Sequence, residues 1–189
     1  MSLADAERWN ARYKSDIRDS FEKPRPLLVE YAHLLPSSGL ALDIAMGLGG
    51  NAGFLINHGL QVIGIDISEV AIRCAHSRLP TLMTLVADLN HFYFPPATFD
   101  VIINFLYLQR DLWPVFTRAL RPGGILIFET LTTEMLSIHP EIEPQYLLQP
   151  GELAHAFPDL NILLYREGWQ EQPGRHPRAV GSLIAQRPM

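Results

Sequence analysis

Residues 41–51 read ALDIAMGLGGN, and the fold turns on how this stretch is built. The apolar run Leu40-Ala41-Leu42 halts at Asp43, and Gly47, Gly49 and Gly50 then fall within four positions. An apolar run that ends in a glycine cluster is the pattern of a buried strand turning sharply into a helix. Glycine lets backbone approach a ligand closely because no Cβ intervenes. The same strand–glycine–helix unit is the usual nucleotide cradle of open α/β sheets. A tight turn without a ligand would account for the glycines but not for Asp43. A carboxylate at the end of a buried strand is costly unless something satisfies it. The turn is therefore expected to hold a nucleotide-like cofactor.

Outward from this turn, strand and helix signals alternate. LALDIA (40–45), QVIGIDI (61–67), TLMTLVADL (81–89), FDVIINFLYL (99–108) and GILIFETL (124–131) read as strands. Their apolar runs are nearly continuous, as expected of parallel strands buried on both faces. Between them lie helical patterns at 50–59, at 68–79 with Ser68 as N-cap, and at 111–120. Ahead of the turn, residues 1–36 form a helical cap segment, with helices expected at 3–14 and 26–35. Trp9 and Tyr13 share one face of the first. Residues 132–149 read as an irregular excursion and 151–158 as a short helix. Strands at 161–170 and 179–186 are joined by EQPGRHPR, too short for a parallel crossover, so they should pair as an antiparallel hairpin. The expected architecture is one α/β domain over residues 1–189. It is a Rossmann-like three-layer sandwich around a seven-stranded, mostly parallel sheet with one reversed strand.

The composition narrows the function classes. The 189 residues suit one domain with a sizeable core. Fifteen basic and twenty acidic side chains give a formal net charge of −5, which disfavours non-specific nucleic-acid binding. The single cysteine, Cys74, excludes an intrachain disulfide and a cysteine-based zinc site. No apolar run reaches the roughly 18 residues needed to span a bilayer. The polar start, MSLADAERWNARYKSD, lacks the apolar core of a signal peptide. A cytoplasmic protein without membrane or nucleic-acid partners is expected. The histidines show no metal-ligand spacing, so no metal is expected.

Two cofactors compete for the turn. Gly47, Gly49 and Ala52 satisfy G-x-G-x-x-G/A with Asp66 beyond them, which fits a dinucleotide such as NAD and an oxidoreductase. That fingerprint alone is weak, and it leaves Asp43 without a use. S-adenosylmethionine explains more of the chain. Its α-ammonium and sulfonium give Asp43 a partner, directly or through water. Asp66, ending the second strand, can accept both ribose hydroxyls. Asp88, in Ala87-Asp88-Leu89 at the end of the third, can accept from an adenine amino group while Ile67 and Leu89 pack the ring.

Taken together, D-x-x-x-G-x-G-x-N (Asp43 to Asn51), the acid of GIDIS (Asp66), VADL (Asp88), FDVIINF (99–105) and LRPGGILIFET (120–130) resemble the class I SAM-dependent methyltransferases. WNARY and the GNAGFL helix start look most like the small tellurite-resistance type. Ala45 and Met46 stand where that pattern usually shows glycine and cysteine, and Gly50 where an arginine often precedes the asparagine. The resemblance implies strand order 3-2-1-4-5-7-6 with strand 7 antiparallel. It also implies that Gly47 and Gly49 line the homocysteine part of the cofactor, with Ala45 and Asn51 in the same turn. Asp66 would take the ribose, Asp88 with its neighbour Ala87 the adenine, and Asn104 and Phe105 the point of methyl transfer. S-adenosylhomocysteine would be the product.

Methyl transfer from a sulfonium mainly requires that the nucleophile be positioned and water excluded, so no catalytic motif is demanded. Acceptor-side candidates follow from location. Tyr107, Gln109 and Arg110 come just after the fourth strand, and the Arg110 fork suits an anionic acceptor, unless it pairs with Asp111 or a nearby acid. PGRHPR places Arg175, His176 and Arg178 between the last two strands, and His176 is a candidate base or oxyanion ligand. Trp9, Arg12 and Tyr13 are candidates for a lid. The expected partner is a small-molecule methyl acceptor, such as a metalloid oxyanion or a thiol, used by a monomer or homodimer. An NAD-dependent oxidoreductase and a non-catalytic SAM-binding protein are the alternatives.

Overall fold

In the computed structural model of the protein, the described residues are 3–15, 23–172 and 175–189, less the side chains of Gln172, Arg175 and His176. The strands are β1 (Leu40–Ile44), β2 (Gln61–Asp66), β3 (Met83–Val86), β4 (Phe99–Phe105), β5 (Leu120–Leu131), β6 (Asn161–Gln172) and β7 (Arg175–Gln186). The helices are α1 (Leu3–Ser15), α2 (Pro26–Glu30), α3 (Gly50–Asn57), α4 (Glu69–Arg78), α5 (Trp113–Ala119) and α6 (Glu152–His155).

The sheet order is β3-β2-β1-β4-β5-β7-β6. β1 through β5 pair in parallel, and β7 is antiparallel to both β5 and β6, so β7 alone is reversed. This is the order the resemblance implied, and the hairpin forms as the short connection required. Its strands are longer than expected and run into the EQPGRHPR segment.

Successive residues of β4 face opposite layers, as strand geometry requires. Val101 and Ile103 pack with Leu27, Leu28, Ala52, Leu55, Ile72 and Ala75 from α2, α3 and α4. Ile102 packs with Leu112, Phe116 and Phe157, on the layer of α5 and α6. The sheet is thus the middle of three layers.

Other boundaries shift for local reasons. β3 is an edge strand of four residues, because β2, which it pairs with, stops at Asp66. Ala87, Asp88 and Leu89 therefore lie beyond the strand and not within it. The expected 26–35 helix ends at Glu30 and continues as a 3-10 turn, Ala32–Leu34. The 151–158 helix is the single turn Glu152–His155.

One close approach is fixed by a residue with no side chain. Gly64 of β2 lies where a Cβ would come within 2.0 Å of the Met46 sulfur, which is buried over the strand. Gly64→Ala should cost about 2 kcal/mol of stability through overpacking. The same substitution should cost little more in a Met46→Ala background. Urea unfolding of the four proteins of this cycle measures the coupling.

A candidate cofactor and acceptor site at the strand ends

The strand order reverses between β1 and β4, which lie side by side with Ile44 opposite Asn104. The chain leaves β1 for α3 on one face and β4 for α5 on the other, which opens a crevice at their carboxyl ends. Both strands end on a left-handed residue that is not glycine: Ala45 at φ 51° and Leu106 at φ 57°. Such strain collects at functional sites. Neither an alanine nor a leucine announces it in the sequence.

The glycine turn is held by Asp66. Its Oδ2 accepts the Gly47 N–H at 2.8 Å and its Oδ1 the Ser68 N–H at 2.8 Å, with Ile67 N–H as a further donor. Ser68 caps α4, as expected, by accepting from Ala71 N–H at 3.1 Å. Its hydroxyl donates to Asn10 Oδ1 at 2.8 Å, and Val70 N–H donates to the same oxygen at 3.1 Å. α1 is thereby docked on the start of α4. Trp9 and Tyr13 stack with centroids 5.8 Å apart and pack with Leu48 and Ala71, while the Arg12 guanidinium lies 5.2 Å from the Trp9 ring centroid.

Gly47 adopts φ 54°, and a Cβ on it would stand 2.7 Å from the Tyr13 hydroxyl. Gly49, at φ 76°, is the residue before α3; its Cβ position faces Ala75 of α4 at 3.1 Å and not the crevice. Asn51 Oδ1 accepts the Arg25 N–H at 2.8 Å and so ties the segment before α2 to α3.

Asp43 is 1 % exposed. Ala52 N–H donates to it, but Oδ2 is buried without a partner. Burial pushes its carboxyl well above the ordinary range, and the nearby Asp66 pushes it further. Asp66 is also raised by burial, against the pull of its three N–H donors. Ile67 is half-buried, and Ala87 N–H donates to Asp66 O at 3.1 Å. Asp88 accepts the Asn90 N–H at 2.9 Å, and Leu89 is buried in the α5–α6 layer. Asn104 is 1 % exposed and donates through Nδ2 to Tyr107 O at 2.7 Å, with Phe105 buried beside it. Asp43, Gly47, Asp66, Asp88 and Asn104 therefore converge on one end of the sheet, while Gly49 and Leu89 face packing partners.

Residues 41–124 match the family described as methyltransferase domain. Two solved structures share the architecture over most of both chains. One is a SAM-dependent methyltransferase from Methanosarcina mazei, with TM-score 0.71, 18 % identity, and 88 % and 99 % of the two chains covered. The other is described by the conversion of a disulfide bond into a thioacetal group during echinomycin biosynthesis, with TM-score 0.75, 20 % identity, and 97 % and 93 % covered. The fold is that of the class I methyltransferases. A malonyl-[acyl-carrier protein] O-methyltransferase of Herminiimonas arsenicoxydans is 34 % identical over 113 residues, 56 % of this chain and 43 % of that protein. The chain thus spans less than half the length of this curated relative.

On the side of the crevice that follows β4, the expected cation is already engaged. Arg110 pairs with Glu152 through Nε at 2.5 Å and Nη2 at 2.8 Å, and also donates to Gln145 O at 2.9 Å and Leu147 O at 3.0 Å. These bonds hold the Arg110 charge more firmly and the Glu152 carboxyl below its ordinary range. The fork expected to face an anionic acceptor instead staples the 132–149 excursion to α6. The Tyr107 hydroxyl donates to Gln109 at 2.5 Å. Burial raises its pKa, helped by Asp88, Asp5, Asp66 and Tyr146, so at neutral pH it is a donor and not a base. His176 falls on β7, and its side chain lies outside the described residues.

Arg25 and Glu129 carry no signal of their pairing in the sequence. They are 6 % and 1 % exposed and pair at 2.7 Å, and Ser182 Oγ donates to the other Glu129 oxygen at 3.0 Å. Glu129 lies opposite Phe105, level with the strained end of β4. With 104 positions between the partners, no local spacing could reveal the pair.

Two outcomes follow from these geometries. A carboxyl whose folded pKa is raised binds its proton more tightly in the native state, so stability falls as pH rises above the unfolded value of about 3.9. Asp43→Asn should therefore be more resistant to urea than the wild type at pH 7.5, with the advantage shrinking toward pH 4. Arg110→Ala and Glu152→Ala should each speed proteolytic cleavage within 132–149, and the double variant should be cut no faster than either single one.

Proposed function

We propose that the chain is an S-adenosylmethionine-dependent methyltransferase acting on a small-molecule acceptor. The observation that carries this reading is the unpartnered, buried Oδ2 of Asp43 beside the glycine turn. A lone buried acceptor calls for a donor or a cation, and this cofactor brings an ammonium and a sulfonium. A dinucleotide brings neither to that position. The match of residues 41–124 to the methyltransferase domain supports the same reading.

In this reading Asp43 takes the cationic side of the cofactor, and Gly47 with Ala45 and Asn51 forms the turn against its homocysteine part. Asp66 keeps its geometry through Gly47 and Ser68 and accepts the ribose hydroxyls. Asp88 and Ala87 meet the adenine, with Ile67 against the ring. Asn104 and Phe105 face the reacting centre. When bound, the cofactor supplies a methyl group already activated on a sulfonium. The chain's contribution is to hold the acceptor in line and to keep water out, with no proton to move unless the acceptor arrives protonated. α1, docked over the turn, contributes to that exclusion.

Within the small-molecule class, a thiol has more support than a metalloid oxyanion. The echinomycin-pathway neighbour is described by chemistry at sulfur. Arg110, which was to hold an oxyanion, is bound to Glu152. The likeness to the tellurite-resistance type rests on WNARY, GNAGFL, the compact size and the basic residues of the last hairpin.

Calorimetric titration with S-adenosylhomocysteine, with NAD in parallel, tests the reading. Binding of the first alone is expected, and Asp66→Asn should weaken it by about tenfold or more, the scale of one hydrogen bond to a charged group. Binding of NAD alone would overturn it. Release of S-adenosylhomocysteine in the presence of small thiols separates an enzyme from a non-catalytic binder.

A further inference from the structure

Asp43 and Asp66 leave the same face of the sheet. Asp43 lies opposite Gly64 in the β1–β2 register, and Asp66 follows Gly64 by two positions, so both side chains stand on the side of α3 and α4. The two are equally buried but unequally bonded. Asp66 accepts from three backbone N–H groups, whereas Asp43 has the Ala52 N–H and an Oδ2 without a partner. The elements packed around Asp43 bring no cation to that oxygen. Its register partner on β4 is Ile103, and α3 carries no titratable side chain. Arg25, tied to α3 through Asn51, gives its guanidinium to Glu129, and Arg78 of α4 donates to the Leu48 carbonyl. On the β2 side stand the Asp66 carboxylate and, from α1, the Tyr13 phenol, whose proton is held by burial and by Asp66.

Two neighbouring carboxylates out of water, one of them short of donors, are relieved when that one keeps a proton. Burial and the Asp66 charge both drive the proton to Asp43. We propose that Asp43 carries a proton until the cofactor binds, and that the cofactor's α-ammonium displaces it, so that each binding event releases one proton to solvent. This rests on the methyltransferase reading above. The step balances in charge and atoms: the carboxyl O–H bond breaks, its proton goes to the buffer, and the carboxylate left behind pairs with the ammonium. One positive charge replaces another, so Asp43 is never left as a lone buried anion. Asp66 supplies no proton, because ribose hydroxyls donate to it without bringing a charge. Binding that releases a proton strengthens as pH rises, and departure of S-adenosylhomocysteine takes the proton back. The site is thus an exchanger of a proton for an ammonium, and its occupancy follows pH.

The probes are S-adenosylhomocysteine and 5′-methylthioadenosine, which keeps the purine, the ribose and the thioether but lacks the amino-acid group. Each is titrated calorimetrically between about pH 6 and pH 7.5, in phosphate and in imidazole, whose ionisation enthalpies differ; the difference in heat counts the protons. About one proton should leave the wild type with S-adenosylhomocysteine and none with 5′-methylthioadenosine. Affinity for the first should rise up to about tenfold per pH unit while Asp43 is protonated, and affinity for the second should stay level. Asp43→Asn has no proton to give, so it should bind S-adenosylhomocysteine more weakly, without proton release and with a flat pH profile. No release by the wild type anywhere in this range, equal release with both ligands, or release that persists in Asp43→Asn would overturn the proposal and leave the methyltransferase reading intact. No binding of S-adenosylhomocysteine by the wild type would remove both.

Discussion

The Asp66 carboxylate is the point on which the ends of the sheet depend. It accepts from the glycine turn at Gly47 and from the start of α4 at Ser68. Through the Ser68 hydroxyl and Asn10 it reaches α1. Three separate stretches of the chain are thus set relative to one another by a side chain at the last position of β2. Burial of a carboxylate is unfavourable, and here three backbone donors offset it. Asp43, one strand away, has one donor and an idle oxygen. Two carboxylates in similar burial have received unequal satisfaction. A chain shaped by stability alone would remove the idle oxygen, and departures of that kind concentrate where a protein works.

The other half of the crevice is organised by internal ion pairs. Arg25 reaches Glu129 beneath the end of β4, and Arg110 clamps Glu152 and the excursion before it. A buried pair such as Arg25–Glu129 adds little net stability over apolar packing, but losing one partner strands the other. Its effect is to fix position: the segment entering α2 is held to β5 by the side chain of Arg25 and to α3 by its N–H. For the proposed reaction, that emphasis is coherent. Displacement at an activated methyl group gains from orientation far more than from a proton relay. Among the described residues, Arg25 and Glu129, and Arg110 and Glu152, are accordingly bonded to one another.

Legibility in the sequence divided along the range of the interactions. The strand runs, the Ser68 cap and the hairpin forced by a short connection were readable, because each depends on residues within a few positions of one another. The convergence of Asp43, Asp66 and Asp88 was readable because each sits at or near the end of an apolar run, and strand ends meet in this fold. Arg110 pairs with an acid, one of the two readings its position allowed, but the partner lies 42 positions away, beyond what local spacing can identify. The length of β3 depends on where β2 stops, which the apolar pattern of residues 81–89 cannot register. The left-handed Ala45 and Leu106 are set by their surroundings, since their residue types prefer otherwise.

The glycines that first suggested a ligand turn out to answer mostly to the protein itself. Gly47 lies against the Tyr13 hydroxyl and Gly49 against Ala75. Their missing Cβ atoms are explained by α1 and α4 before any cofactor is invoked. A strand–glycine–helix turn is therefore weaker testimony for a nucleotide than its pattern suggests, because close packing of helices on the turn selects the same residue. Asp43 is stronger testimony. Packing can demand a glycine, but it gains nothing from a carboxylate oxygen that is buried and unbonded. The case for a cationic ligand at this turn passes from the three glycines to the one acid that precedes them.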